Sequence, residues 1–268
     1  MEYALVTGAS KGIGKDIAIL LAQKGYKLLL IARSEAELKQ LAGELPGGAL
    51  YLAIDLSEAG AAKKVAAFCK DLPVSVLVNN AGYGLWGNFA EIDIQQQLNM
   101  VQLNTSALIE LTWYLLPQLK QQPSYILNVS STAAYQAVPT LAVYAATKAF
   151  VLSFSRALRM ELKGAVSVSC LCPGPTDTGF AHRAGMDSLA DIAEKFNMQP
   201  AEVAKIGVEG MFKKKAEIVP GFLNKLSAGA VSFVPKKLVE TIAEASPLPA
   251  TSATAISTLP SGCSTMSR

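Results

Sequence analysis

Two side chains in the run Tyr144-Ala145-Ala146-Thr147-Lys148 are of types that can move a proton together. Apolar residues continue through Phe150, Val151, Leu152 and Phe154, which predicts a long amphipathic helix. Side chains four apart on a helix share a face, so the phenol of Tyr144 and the ammonium of Lys148 project together. A free tyrosine titrates near ~10. A cation held close favours the phenolate and lowers that value. A phenol tuned in this way can exchange a proton with a substrate oxygen near neutral pH. The same pattern also describes an ordinary exposed helix pair, so its meaning depends on what the rest of the chain brings to it.

The elements that must position this pair read as alternating strands and helices. A short apolar run at 3–6 stops at Thr7-Gly8-Ala9-Ser10-Lys11-Gly12-Ile13-Gly14, and an amphipathic helix with Ile17, Ile19, Leu20 and Leu21 follows. Glycines there allow a tight turn and let a pyrophosphate approach the backbone at a helix N-terminus. The spacing is Gly-x-x-x-Gly-x-Gly, a variant with a longer first gap. Residues 27–32 form a second, continuously apolar strand, as expected of a strand covered on both faces. It ends in Arg33-Ser34. A carboxylate at that place would favour NAD, whereas a basic group accommodates the 2′-phosphate of NADP. Arg33 and Lys11 supply two cations with no carboxylate at the strand end, so NADP(H) is the expected dinucleotide; Glu35 is the weak counter-argument. Ser34 and Glu37 have the spacing of a capping box for the next helix.

Strand three covers 50–54 and ends in Asp55-Leu56, where Asp55 could meet an adenine or cap a helix starting near Ser57. Strand four, 74–78, ends in Asn79-Asn80-Ala81-Gly82, with room for close passage of a cofactor or simply an ordinary turn. A helical run over 98–119 contains Asn104, unfavourable there by propensity and therefore a functional or kinking residue. Strand five, 125–129, ends in Ser130-Ser131-Thr132, with hydroxyls at the end of a parallel strand where ligands bind. Strand six, 166–171, ends in Pro173-Gly174-Pro175-Thr176-Asp177-Thr178, and a short last strand covers 216–219. Helix follows over about 180–212, restarting at Pro200, and again over 220–245. Residues 246–268 are Ser, Thr, Ala and Pro with almost no charge, a composition expected to stay disordered.

Composition narrows the function. The chain has 268 residues, 51% of them apolar, enough for one domain over 1–245 with a substantial core. A net charge of +3 is too mild to argue for nucleic acid. Four scattered cysteines and a single histidine, His182, argue against both a disulfide scaffold and a metal site. Cys170 and Cys172 alternate on strand six and read as core thiols sharing one face. The chain opens directly on a strand, and no apolar run is long enough for a membrane span, so a cytoplasmic setting is expected.

Taken in order, these motifs resemble the short-chain dehydrogenase/reductase family over about residues 1–245, and within it an NADP-preferring branch of general oxidoreductases. The resemblance implies a single-domain Rossmann-type, doubly wound α/β parallel sheet of about seven strands, and an NADP-dependent oxidoreductase acting on a carbonyl or alcohol. It implies that Tyr144 is the proton donor in reduction, that Lys148 lowers its pKa and holds the nicotinamide ribose, and that Ser131, rather than Ser130, bonds the substrate oxygen. Asn104 would hold a water behind Lys148. Gly8, Ser10, Lys11, Gly12, Ile13, Gly14, Arg33, Ser34, Asp55, Leu56, Asn80, Ala81 and Gly82 would hold the dinucleotide, with Pro173, Gly174, Thr176 and Thr178 along its nicotinamide. Family members form dimers and tetramers, so a homo-oligomer is expected.

The substrate pocket is expected among Tyr83, Trp86, Tyr135, Val138, Phe180 and Met186, mostly apolar side chains suited to a hydrophobic ketone or aldehyde. Two other readings stand beside a small-molecule carbonyl reductase. One is a 3-oxoacyl-carrier-protein reductase, which would need a basic surface at the active-site mouth. The other is a non-catalytic dinucleotide-binding sensor.

Overall fold

The computed structural model describes residues 2–176, 198–222 and 224–226. In chain order these form β1 (Tyr3–Thr7), α1 (Gly12–Gln23), β2 (Lys27–Ala32), α2 (Glu35–Glu44), β3 (Ala49–Ala53), α3 (Ala61–Phe68), β4 (Val74–Asn79), α4 (Ile94–Val101), a π-helical turn (Gln102–Ser106) and α5 (Ala107–Leu119). There follow β5 (Ser124–Val129), a 3₁₀ turn (Thr132–Tyr135), α6 (Ala142–Glu161), β6 (Val166–Leu171), α7 (Pro200–Phe212) and β7 (Glu217–Ile218). All described strands pair in parallel in the order β3-β2-β1-β4-β5-β6-β7.

The continuously apolar strands have a simple cause. Successive side chains point to opposite faces, and here both faces are covered. Ala4 and Val6 of β1 and Leu28 and Leu30 of β2 join a core with α1, α2 and α7. Leu5, Leu29 and Ile31 join the opposite core with α3, α5 and α6. Burying each such Leu, Ile or Val is worth about 1.5–3 kcal/mol. The chain moves outward from β1 to β3, then returns to lay β4 beside β1. A ligand crevice opens at the strand ends where such a sheet reverses direction, and the glycine turn, Asn80 and Ser131 all follow strands there.

Three local expectations are corrected. The helix after Asp55 begins at Ala61, behind Gly60, rather than near Ser57. Asp55 instead accepts hydrogen bonds from Ser57 N (2.9 Å) and Ser57 Oγ (2.7 Å), closing a turn within the loop. Ser34 caps α2 by position but makes no side-chain capping bond, and Glu37, the other half of the expected box, lies 3.3 Å from Lys11. The expected helix at 98–119 begins at Ile94 and is interrupted around Asn104 by the π turn. Thr178, Phe180, Met186, most of the 180–212 and 220–245 segments, and the 246–268 tail lie outside the described residues.

Candidate active site

A cleft of about 800 Å³ runs along the carboxyl ends of the central strands. One end is lined by Gly8, Ser10, Lys11, Gly12, Ile13, Arg33, Ser34, Asp55 and Leu56, and the middle by Asn80, Ala81 and Gly82. Ser131, Tyr144, Lys148, Pro173, Gly174 and Thr176 line the other end. Residues far apart in sequence are thus gathered in one groove.

At the first end, Gly8 (φ 64°) and Gly12 (φ 57°) take left-handed backbone that a side chain disfavours. Gly14 does not line the cleft as expected. It stands behind the turn, where a Cβ would collide with the Gly8 carbonyl and with Asn80 Nδ2. Asn80 fastens this packing by donating to Thr7 O (2.9 Å) and Gly8 O (3.2 Å). Thr7 Oγ1 accepts from Asn80 N (2.9 Å) and Ala81 N (3.0 Å) while donating to Val78 O (3.2 Å). Thr7 is thus a structural partner of the site that its motif position alone did not assign. Gly14→Ala should cost about 1–3 kcal/mol through overpacking and lower the melting temperature measured by circular dichroism by a few degrees or more.

The cleft fits an anionic dinucleotide. The N-terminus of α1 faces it without a side-chain cap and without an acidic residue in its first turn. Uncapped N–H groups at a helix start are an anion site.

At the other end, α6 carries Tyr144 and Lys148, both buried. The expected lowering of the Tyr144 pKa is corrected. Burial pushes it up to about 12, although a hydrogen bond with Ser131 pulls the other way. Burial also pushes Lys148 down to about 8. The physical reason is that neither charge is welcome in a desolvated pocket. In addition, Lys148 Nζ donates to Val129 O (3.0 Å) and sits 5.7 Å from the Tyr144 ring centre. Tyr144 is therefore a neutral phenol at physiological pH, the form that can donate a proton.

Both serines line the cleft, and they differ in what they bond. Ser130 is buried and its Oγ donates to Lys148 O (2.7 Å), a tie between β5 and α6. Ser131 lies in the cleft and bonds Tyr144, while its Oγ accepts from Ala133 N (3.1 Å). Asn104 lies behind the cleft rather than in its wall. Its Nδ2 donates to Tyr83 O (2.9 Å) and Thr147 Oγ1 (3.1 Å), and its Oδ1 accepts from Tyr83 N (3.1 Å). Gly82 leaves room between Asn104 and Lys148, since a Cβ there would meet Asn104 Oδ1 at 2.9 Å and Lys148 Nζ at 3.5 Å.

Of the expected substrate pocket, Tyr135 and Val138 line the cleft, joined by Leu103, Gln136 and Leu141. Tyr83 does not: it is buried, and its hydroxyl donates to Gln96 O (3.1 Å) and Asn99 Oδ1 (2.9 Å). Trp86 is likewise absent from the cleft lining. Tyr135 is held from behind, donating to Glu217 Oε1 (2.5 Å), whose other oxygen accepts from Arg156 (2.5 Å). Cys170 and Cys172 are buried thiols on one side of the sheet, with sulfurs 3.8 Å apart.

Comparison with known proteins agrees with this architecture. A family model described as short chain dehydrogenase matches residues 2–189. A very-long-chain 3-oxoacyl-CoA reductase of Candida glabrata is 36% identical over 184 residues, which are 60% of this chain and 52% of that protein. The chain therefore matches about half the length of that relative. Ketoacyl reductase HetN of Nostoc sp. is 31% identical over 228 residues, 81% of this chain and 78% of HetN. Among solved structures, a short-chain dehydrogenase from Sphingobium yanoikuyae in complex with NADPH has a TM-score of 0.78 and 28% identity, over 92% of this chain and 99% of that one. A 3-ketoacyl-(acyl-carrier-protein) reductase from Brucella melitensis complexed with NADH has a TM-score of 0.74 and 27% identity, over 82% of this chain and 96% of that one.

Proposed function

The chain belongs to the short-chain dehydrogenase family of oxidoreductases, and from that premise we propose that it is an NADP(H)-dependent carbonyl reductase, or the reverse alcohol dehydrogenase, using Tyr144 as its proton donor. The observation that carries the proposal is the Ser131–Tyr144–Lys148 group at the opposite end of one cleft from the glycine turn and Arg33. The dinucleotide, when bound, supplies or accepts the hydride. The glycine turn and the start of α1 would hold its pyrophosphate, and Arg33 and Lys11 its 2′-phosphate. The Ser131 hydroxyl donates to the carbonyl oxygen and orients it. The Tyr144 phenol donates its proton to that oxygen as it gains negative charge, leaving a phenolate. Lys148, when protonated, stabilises that phenolate by its charge, and the phenolate regains its proton from solvent before the next turnover. Asn104 and Thr147, which donates to Tyr144 O (2.7 Å), keep α6 in register with the 81–83 loop.

The cleft wall of Leu103, Tyr135, Val138 and Leu141 suits an apolar carbonyl compound. The names of the relatives favour including 3-oxoacyl thioesters among the candidates. The test is NADPH oxidation, followed by absorbance, over a panel of aromatic and aliphatic ketones, aldehydes and 3-oxoacyl thioesters. Turnover of an apolar member supports the reading. Firm NADPH binding with no turnover across the panel would replace it with a sensor.

We also propose a homodimer or homotetramer. Leu98 of α4, Ile109 and Trp113 of α5 and Phe150 of α6 are exposed apolar side chains on the helices beside the site. Light scattering should return two or four times the 28.2 kDa chain mass; a single chain mass would overturn the assembly.

A further inference from the structure

The cations that favour a 2′-phosphate are not alone in the folded protein. Lys11 Nζ lies 3.3 Å from Glu37 Oε1, and Arg33 Nη1 lies 3.6 Å from Asp55 Oδ2. All four residues line the same end of the cleft. With one carboxylate for each cation, the formal charge of this corner is zero.

The two carboxylates differ in what else they do. Asp55 accepts from the backbone and hydroxyl of Ser57, so it builds the loop as well as facing Arg33. Burial would raise its pKa, but the Ser57 bonds and the Arg33 charge outweigh burial and hold it below the usual carboxylate value. Glu37 has no such duty. Its Oε1 faces Lys11, and its second oxygen, Oε2, is shielded from solvent with no hydrogen-bond partner among the described residues. The capping bond that its spacing with Ser34 allows is not made.

We propose that Glu37 is a specificity-determining residue that restrains the preference for 2′-phosphorylated dinucleotides. It engages Lys11 and sets a negative charge beside the place where a phosphate must enter. A phosphate monoester carries about −1.5 to −2 charges at neutral pH, so one fixed carboxylate nearby opposes it. A ribose bearing a free 2′-hydroxyl meets no such opposition. The preference between the two nucleotides is therefore set by a balance of two cations against two anions, and Glu37 is the member that can be removed without dismantling the loop. The inference rests on the reading above that this cleft takes a nicotinamide dinucleotide.

The test is equilibrium binding of NADPH and of NADH, followed by nucleotide fluorescence, to the full-length protein and to Glu37→Gln. Glutamine keeps the size and removes the charge at a half-exposed position, and a melting curve checks that the variant is folded. The variant should bind NADPH about five- to tenfold more tightly, with NADH changed by less than about twofold. The gain should shrink as salt is raised, because exposed charges are screened over roughly 10 Å at 0.1 M. Unchanged or weaker NADPH binding by folded Glu37→Gln would overturn this inference alone. Failure of the unaltered protein to bind either nucleotide would overturn the dinucleotide reading and this inference with it.

Discussion

Tyr144→Phe should lower kcat/KM for carbonyl reduction by about 10²–10⁴-fold, the usual contribution of a positioned general acid, while NADPH affinity changes by less than about threefold. The ring of Tyr144 belongs to the core beneath the sheet, and phenylalanine keeps it. The hydroxyl that is lost is the one in the cleft with Ser131. A folded variant that binds NADPH but does not turn over is the expected outcome. Turnover within about fivefold of the unaltered protein would move the proton donor to another group. A pH profile of the unaltered enzyme tests the same assignment. Tyr144, pushed up to about 12, stays protonated across the working range, so it sets no limb near neutrality. Lys148, pushed down to about 8, is protonated below that value and loses its charge above it. Reduction that depends on the ammonium should therefore be flat on the acid side of about 8 and fall on the alkaline side.

Asn104→Ala should damage stability as well as rate. The amide makes three buried hydrogen bonds, to Tyr83 N, Tyr83 O and Thr147 Oγ1. Alanine removes all three and leaves buried groups unpaired, at about 1–3 kcal/mol for each group that water cannot reach. A net loss of about 3 kcal/mol corresponds to about 6–12 °C in melting temperature for a domain of this size. Because the same bonds join the 81–83 loop to α6, kcat should fall together with stability. The two effects separate with temperature: assayed well below its melting point, the variant should still be slower than the unaltered enzyme by at least about tenfold. Full activity in a merely less stable protein would make Asn104 a packing residue and nothing more. Asn104 also lies within the π turn at Gln102–Ser106, a feature frequent at functional sites.

Much of this is legible in the sequence. Periodicity and strand-end residues predict seven parallel strands, and the Tyr144–Lys148 spacing marks the helix that bears the pair we propose to be catalytic. The choice of Ser131 over Ser130 comes from the resemblance; what the structure adds is the Ser130 bond to Lys148 O, made only once β5 and α6 pack. Tyr83 and Trp86 looked like pocket residues because they are aromatic and follow a strand. Apolar character cannot distinguish a cleft wall from a core, and the Tyr83 hydroxyl found its partners on α4. Tyr135 lines the cleft as expected, yet nothing local in the chain announces Glu217 and Arg156 behind it.

The sequence by itself determined the doubly wound sheet, the glycine turn and which side chains could do chemistry, because these depend on residue type and on spacing within one element. Only the tertiary structure decided the electrostatics. Burial, rather than the neighbouring lysine, dominates the Tyr144 pKa. Lys11 and Arg33 each meet a carboxylate brought from elsewhere in the chain. Charge interactions depend on distance and solvent exposure, and for residues on different elements both quantities exist only once the loops have been folded against one another.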